Sequence, residues 1–156
     1  MTRCACTAAA SRQAELNKLL NKTLDALPTD KPVWRNNWAL VESGSIDNPS
    51  YGTPEALDAL AQPMAPTQRW LKVEYQTLRR LPKTKFILFT IRTFLEPITV
   101  LSTVPGAAAS LASSLRGMTQ GMRGYKGLVS TQSQDEMLAY LEGLAAADAA
   151  AAAAKH

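Results

Sequence analysis

The sequence predicts an α+β fold in which an antiparallel sheet is flanked by helices. Three observations point there. Residues 70–78 alternate, with Leu71, Val73 and Tyr75 on one side and Lys72, Glu74 and Gln76 on the other, which is the period of a half-buried strand. A second run, Phe86 to Leu95, is rich in aromatic and β-branched residues and follows after the short polar link 81–85, so the two strands pair as an antiparallel hairpin. Before and after this hairpin, apolar residues recur at three- and four-residue steps, the signature of amphipathic helices.

The first ten residues, MTRCACTAAA, read as a disordered N-terminus. A helix follows in which Leu16, Leu19, Leu20, Leu24 and Leu27 form one stripe. Ser11 suits its N-cap and Pro28 its end, since the residue before a proline leaves helical angles. Residues 33–41 have the composition of a strand. Residues 43–66 hold six glycines and prolines and form a long irregular connection, with a helical turn expected near residues 54–61. The strand 86–95 is apolar on both faces, so it is expected at the centre of its sheet, and Pro97 stops it. Beyond Pro105, which suits a first helical turn, Ala108, Leu111, Ala112, Leu115 and Met118 form a stripe. Gly117, Gly121, Gly124 and Gly127 then interrupt regularity around Tyr125 and Lys126. Ser133-Gln134-Asp135-Glu136 reads as a capping box opening a helix that carries Met137, Leu138, Leu141 and Leu144. Residues 145–156 form a low-complexity, alanine-rich helical tail.

Composition excludes several classes. The chain has 156 residues, enough for one domain core, and a formal net charge of +4. That excess is scattered, unlike the dense basic stripe of a nucleic-acid binder, so no nucleic acid is expected as partner. No run of about 18 apolar residues exists, and no transmembrane helix is expected. The two cysteines, Cys4 and Cys6, cannot make a disulfide framework and suit a reducing, intracellular compartment. The only histidine is His156. This removes a Ser-His-Asp triad, a multi-histidine metal site and an internal histidine ligand to haem. No metal site is expected. Glycine-rich phosphate loops and nucleophile elbows are absent. Two charges inside strands, Glu74 and Arg92, stand out, because a charge within a sheet is expensive unless paired or used.

Residues 72–84, Lys-Val-Glu-Tyr-Gln-Thr-Leu-Arg-Arg-Leu-Pro-Lys-Thr, and 86–97, Phe-Ile-Leu-Phe-Thr-Ile-Arg-Thr-Phe-Leu-Glu-Pro, resemble the paired motif of the haem-dependent oxidative N-demethylase-like family. That pattern reads Arg-x-Glu-Arg-Gln-Thr-Leu-Arg-Arg-Leu-Pro-Arg-Thr-Gly, an apolar strand, then Ile-Arg-Thr-Tyr. Weaker matches follow the same order: Asp30 to Trp38 around Arg35-Asn36-Asn37, Tyr125-Lys126-Gly127, and Tyr140-Leu141. The resemblance covers about residues 11–144 and corresponds to the C-terminal half of the family domain. It implies a PAS-like haem-binding fold. It further implies a monooxygenase that binds haem b, oxidatively N-demethylates a secondary amine with dioxygen, and receives electrons from reductase components.

The departures shape the expectations. Lys72 and Tyr75 replace motif arginines, and lysine cannot reproduce a bidentate guanidinium contact. Lys85 stands where the family has a turn glycine, which is strained if the position needs positive φ. Phe94 replaces a tyrosine. Glu74, Gln76, Arg79, Arg80, Leu81, Pro82 and Arg92 are kept. The resemblance makes Glu74 and Arg92 the candidate catalytic residues. Glu74 would hold a substrate ammonium, and Arg92 would bond iron-bound oxygen or a propionate. Arg35, Asn36, Gln76, Tyr125 and Lys126 are the candidate cofactor-binding residues. The structural alternative is an ion pair of Glu74 with Arg92 or Arg35, with the remainder in solvated strand edges and loops. Trp34, Trp38 and Trp70 read as core. The competing functional reading is a truncated, catalytically silent binding or structural module that lacks haem and self-associates through an exposed sheet edge.

Overall fold

In a computed structural model of the chain, the described residues are 3–47, 53–54 and 64–154. They form an α+β fold on a three-stranded antiparallel sheet of order β1-β2-β3, with β1 Val33–Val41, β2 Trp70–Arg80 and β3 Ile87–Pro97. Among the described residues four helices accompany it: α1 Arg3–Asp25, α2 Ala107–Arg116, α3 Gln120–Tyr125 and α4 Thr131–Ala153. Short 3-10 turns occupy Pro66–Gln68 and Ile98–Thr103. Most of the irregular connection and its expected helical turn lie outside the described residues. The chain divides into two compact units, Met1–Asn36 with Tyr75–Arg92, and Asn37–Glu74 with Thr93–His156.

In the first unit the hairpin closes where Leu81 N–H donates to Phe86 O at 2.8 Å, and Thr77 and Thr90 hydroxyls meet at 2.5 Å. Both contacts fit one unbroken antiparallel register. The α1 helix starts at Arg3 rather than at Ser11, taking in most of the segment read as disordered; its alanine run favours the helical state. The helix ends near Pro28 as expected. Its last carbonyls are capped from the sheet: Arg80 donates to Leu24 O at 2.6 Å and to Leu27 O at 2.8 Å. A cation on carbonyls at a helix C-terminus satisfies orphan acceptors and the helix dipole together. The same guanidinium donates to Lys85 O at 2.7 Å, fixing the hairpin turn.

Lys85 sits at φ 63°, the left-handed region the sequence reading made conditional. Replacing it with glycine is expected to stabilise the protein by about 1 kcal/mol. Its backbone bonds to Leu81 and Arg80 would survive. Urea denaturation checks this, and an unchanged midpoint would show that the turn carries no strain.

The sheet order corrects one expectation. β2 is central and β3 is an edge among the described residues, although β3 is apolar on both faces. Phe86, Leu88, Phe89, Ile91 and Phe94 are exposed. Two-sided apolarity reports that a strand is suited to cover; it does not specify which chain supplies the cover.

The second unit holds most of the buried core. Leu40 of β1, Ile98 and Leu101, Ala108, Ala112 and Leu115 of α2, Leu128, and Met137 and Leu141 of α4 form one cluster. Alanines at 108 and 112 let α2 approach α4 closely. Trp38 and Leu71 pack against this cluster. The cap of α4 falls earlier than the sequence suggested. Ser130 Oγ accepts from Ser133 N–H at 3.0 Å, and Ser133 Oγ returns a bond to Ser130 O at 2.8 Å. Ser130 therefore caps the helix, while the Ser133 hydroxyl donates to the Ser130 carbonyl and does not complete a capping box, which needs an acceptor for the N-cap N–H.

Among the described residues, the largest fully buried side chain is Arg69. Its Nη1 donates to Gly127 O at 2.9 Å. Burial pushes its pKa below the usual arginine value, and the carboxylates of Glu42 and Glu136 pull it back. Gly127 has φ 96°, and a Cβ there would lie 1.9 Å from Leu40 O. That close approach lets Leu40 N–H donate to Lys126 O at 2.8 Å, continuing hydrogen bonding beyond β1.

Candidate functional site

Two polar constellations, one in each unit, contain most of the candidate residues. In the first, Arg35 Nε donates to Gln76 Oε1 at 2.7 Å. Strand alternation places both side chains on one face. They border a cavity of about 560 Å³. Leu20 and Leu24 of α1 form one wall, and Val33 and Trp34 of β1 another. Leu78, Ile87 and Phe89 supply the sheet floor. The cavity is therefore apolar with a guanidinium and an amide at its border, an arrangement that receives an apolar body and orients an acidic group. Trp34 is mostly exposed and lies against Tyr75, with ring centroids 5.6 Å apart. It is a cavity wall rather than the core residue expected.

In the second unit, Glu74 pairs with Lys72 at 2.9 Å and accepts from Asn37 Nδ2 at 3.3 Å. Asn37 Oδ1 in turn accepts from Lys126 Nζ at 2.8 Å, and the same ammonium donates to Trp38 O at 2.7 Å. Lys126 is buried, with its Nζ 5.0 Å from the Trp38 ring centre and 5.5 Å from that of Tyr125. The chain Lys72–Glu74–Asn37–Lys126 alternates charge and hydrogen-bond polarity.

The structure thus joins Arg35 with Gln76, and Glu74 with Lys126 through Asn37. Glu74 pairs with Lys72, a partner the sequence reading did not name. Asn36 and Arg92 are exposed, as is Tyr125. Sequence reasoning missed Asn37, although alternation from Arg35 places it on the same strand face. It also missed Lys72 as the partner of Glu74, two positions along β2. The apolar lining had no local signal, because Leu20, Leu78 and Phe89 meet only through tertiary structure.

A haem's apolar faces suit the lining of the first unit's cavity, and Arg35 suits an acidic edge. The iron does not fit: among the described residues no lining side chain is a histidine, cysteine, methionine or tyrosine, the side chains that ligate haem iron. Among the described residues no cluster of metal-ligating side chains occurs, and no helix is long and apolar enough to cross a membrane. No curated protein matches the chain. A family model does, over residues 9–134: haem-dependent oxidative N-demethylase, alpha subunit-like. That span contains the hairpin, the Arg35–Gln76 pair and the Lys126 network, and the chain belongs to this family.

Proposed function

We propose that the chain is a ligand-holding domain of a haem-dependent, oxidative N-demethylating system. In this reading the first unit's cavity receives an apolar, planar group and Arg35 holds its acidic edge. The observation that carries the reading is the Arg35–Gln76 pair at the border of that cavity. Gln76 is buried and orients the guanidinium through Nε, which directs the remaining N–H groups to a ligand. Haem held by the system would supply dioxygen activation, the chemistry that the family's oxidation of a secondary amine requires, and no step of it is assigned to this lining. This chain's lining supplies binding and orientation, with no donor for the iron. A substrate ammonium at Glu74 would compete with the Lys72 ammonium already paired there, so Glu74 acts in this reading through exchange of cations. Arg92, on the exposed face of its strand, serves an anionic group of a ligand or an electron-donating partner.

A second reading, a catalytically silent module, is favoured by the missing iron donor. Hemin titration followed by the Soret band separates the two. The expected result is weak binding with a broad band, weakened about tenfold further in Arg35→Ala by loss of a charge-assisted hydrogen bond. The absence of any saturable binding would favour the silent module. A sharp one-to-one spectrum would require an iron ligand from another part of the chain and would restore a full catalytic role.

A further inference from the structure

We infer that β3 is a dimerisation strand, and that a second copy of this chain adds to the edge that β3 forms among the described residues, in antiparallel register centred on Ile91. Native edge strands are blunted by charge, proline or cover, yet residues 86–91 of this edge carry no charge and no proline. Four of these six, Phe86, Leu88, Phe89 and Ile91, are 48–74% exposed. Since Phe86 O accepts from Leu81 N–H, strand alternation turns the backbone groups of Ile87, Phe89, Ile91, Thr93 and Leu95 away from β2.

The strand is complementary to itself under a two-fold axis. With Ile91 opposite Ile91 of the second copy, Phe89 meets Thr93 and Ile87 meets Leu95. On the other face Leu88 meets Phe94 and Thr90 meets Arg92. No like charges face each other, whereas moving the centre to Arg92 would oppose two guanidiniums. Glu96 comes opposite Phe86, one position from Lys85 of the second copy, so each end of the ladder places a carboxylate beside a turn lysine. Pro97 falls opposite that turn, beyond the paired stretch, where its missing N–H interrupts nothing. Register, charge and the position of the proline thus favour a second copy, joining two three-stranded sheets into one of six.

Sedimentation velocity of the full chain over a concentration series tests the inference. The wild type is expected to dimerise reversibly, and Ile91→Lys, which places two ammonium groups face to face, to weaken the dimer at least about tenfold with an unchanged circular dichroism spectrum. Register is read separately in a Cys4→Ser, Cys6→Ser background. Opposed residues there lie about 5.5 Å apart at Cα, within disulfide reach, so Ile91→Cys should cross-link on mild oxidation and Phe89→Cys should not. A wild type that stays monomeric overturns the inference and leaves the edge to a different polypeptide. A dimer that survives Ile91→Lys, or cross-links equally well through Phe89→Cys, overturns the register and the strand assignment.

Discussion

Replacing Arg69 with alanine is expected to lower the unfolding free energy by about 3–5 kcal/mol, the range for removing one partner of a buried charge system. Arg69 is 1% exposed, and its guanidinium donates to Gly127 O. Its charge faces the carboxylates of Glu42 and Glu136. Among the described residues, Glu42 Oε1 is buried with no hydrogen-bond partner, so the positive charge of Arg69 offsets part of the cost of burying it. Truncation leaves a cavity, an unpaired carbonyl and an uncompensated carboxylate at once. Equilibrium urea denaturation measures the loss. Adding Glu42→Gln to Arg69→Ala should recover part of it by removing the orphaned charge, and a loss below about 1 kcal/mol with no recovery would contradict this account.

The second large effect is expected at Gly127. Alanine there should destabilise by about 3 kcal/mol or more, combining a left-handed backbone with a steric collision. The collision is with Leu40 O, 1.9 Å from the position of the added carbon. That carbonyl belongs to the strand and cannot rotate aside as a side chain would. Relief requires Gly127 and β1 to separate, which breaks the Leu40–Lys126 backbone bond and moves the acceptor of Arg69. The control is Gly121→Ala in α3, where nothing lies within 4 Å of the new carbon and helix propensity favours alanine. It should be neutral or slightly stabilising. Thermal unfolding of both variants checks the contrast, and equal midpoints would remove the steric argument.

The parts of the fold legible in the sequence are those governed by local periodicity. β1 has the bounds that its aromatic and β-branched run suggested, and the 70–97 hairpin follows from alternation and a short polar link. Lys85 was also readable as a strained turn position, through its replacement of a family glycine. The β3 edge was not legible, because apolar residues on both faces record a demand for cover without naming its source. The cap at Ser130 was missed because Ser133-to-Glu136 offered a complete capping-box pattern, whereas Ser130 caps through its own hydroxyl alone. At the candidate site, alternation along β1 and β2 predicts which polar side chains share a face. The Lys126 network depends on a residue far along the chain reaching Asn37, which no local pattern encodes. Arg69 is the clearest case: its burial arises from its place between a 3-10 turn and β2, and its neighbours in sequence carry no sign of Gly127 or Glu42.

The attachment of α1 by its last turn has a thermodynamic consequence for anything that enters the first unit's cavity. Leu16 and Leu19 remain exposed, while Arg80 grips the carbonyls of Leu24 and Leu27. The helix is therefore held by Arg80 at its C-terminal end, and two of its residues, Leu20 and Leu24, form the cavity wall. A ligand can use that wall only in the fraction of molecules with the helix seated, so its apparent affinity is its intrinsic affinity multiplied by that fraction. By reciprocity, occupancy raises the seated fraction. Solvent conditions that alter helix fraying would consequently tune ligand affinity without any change in the residues that touch the ligand.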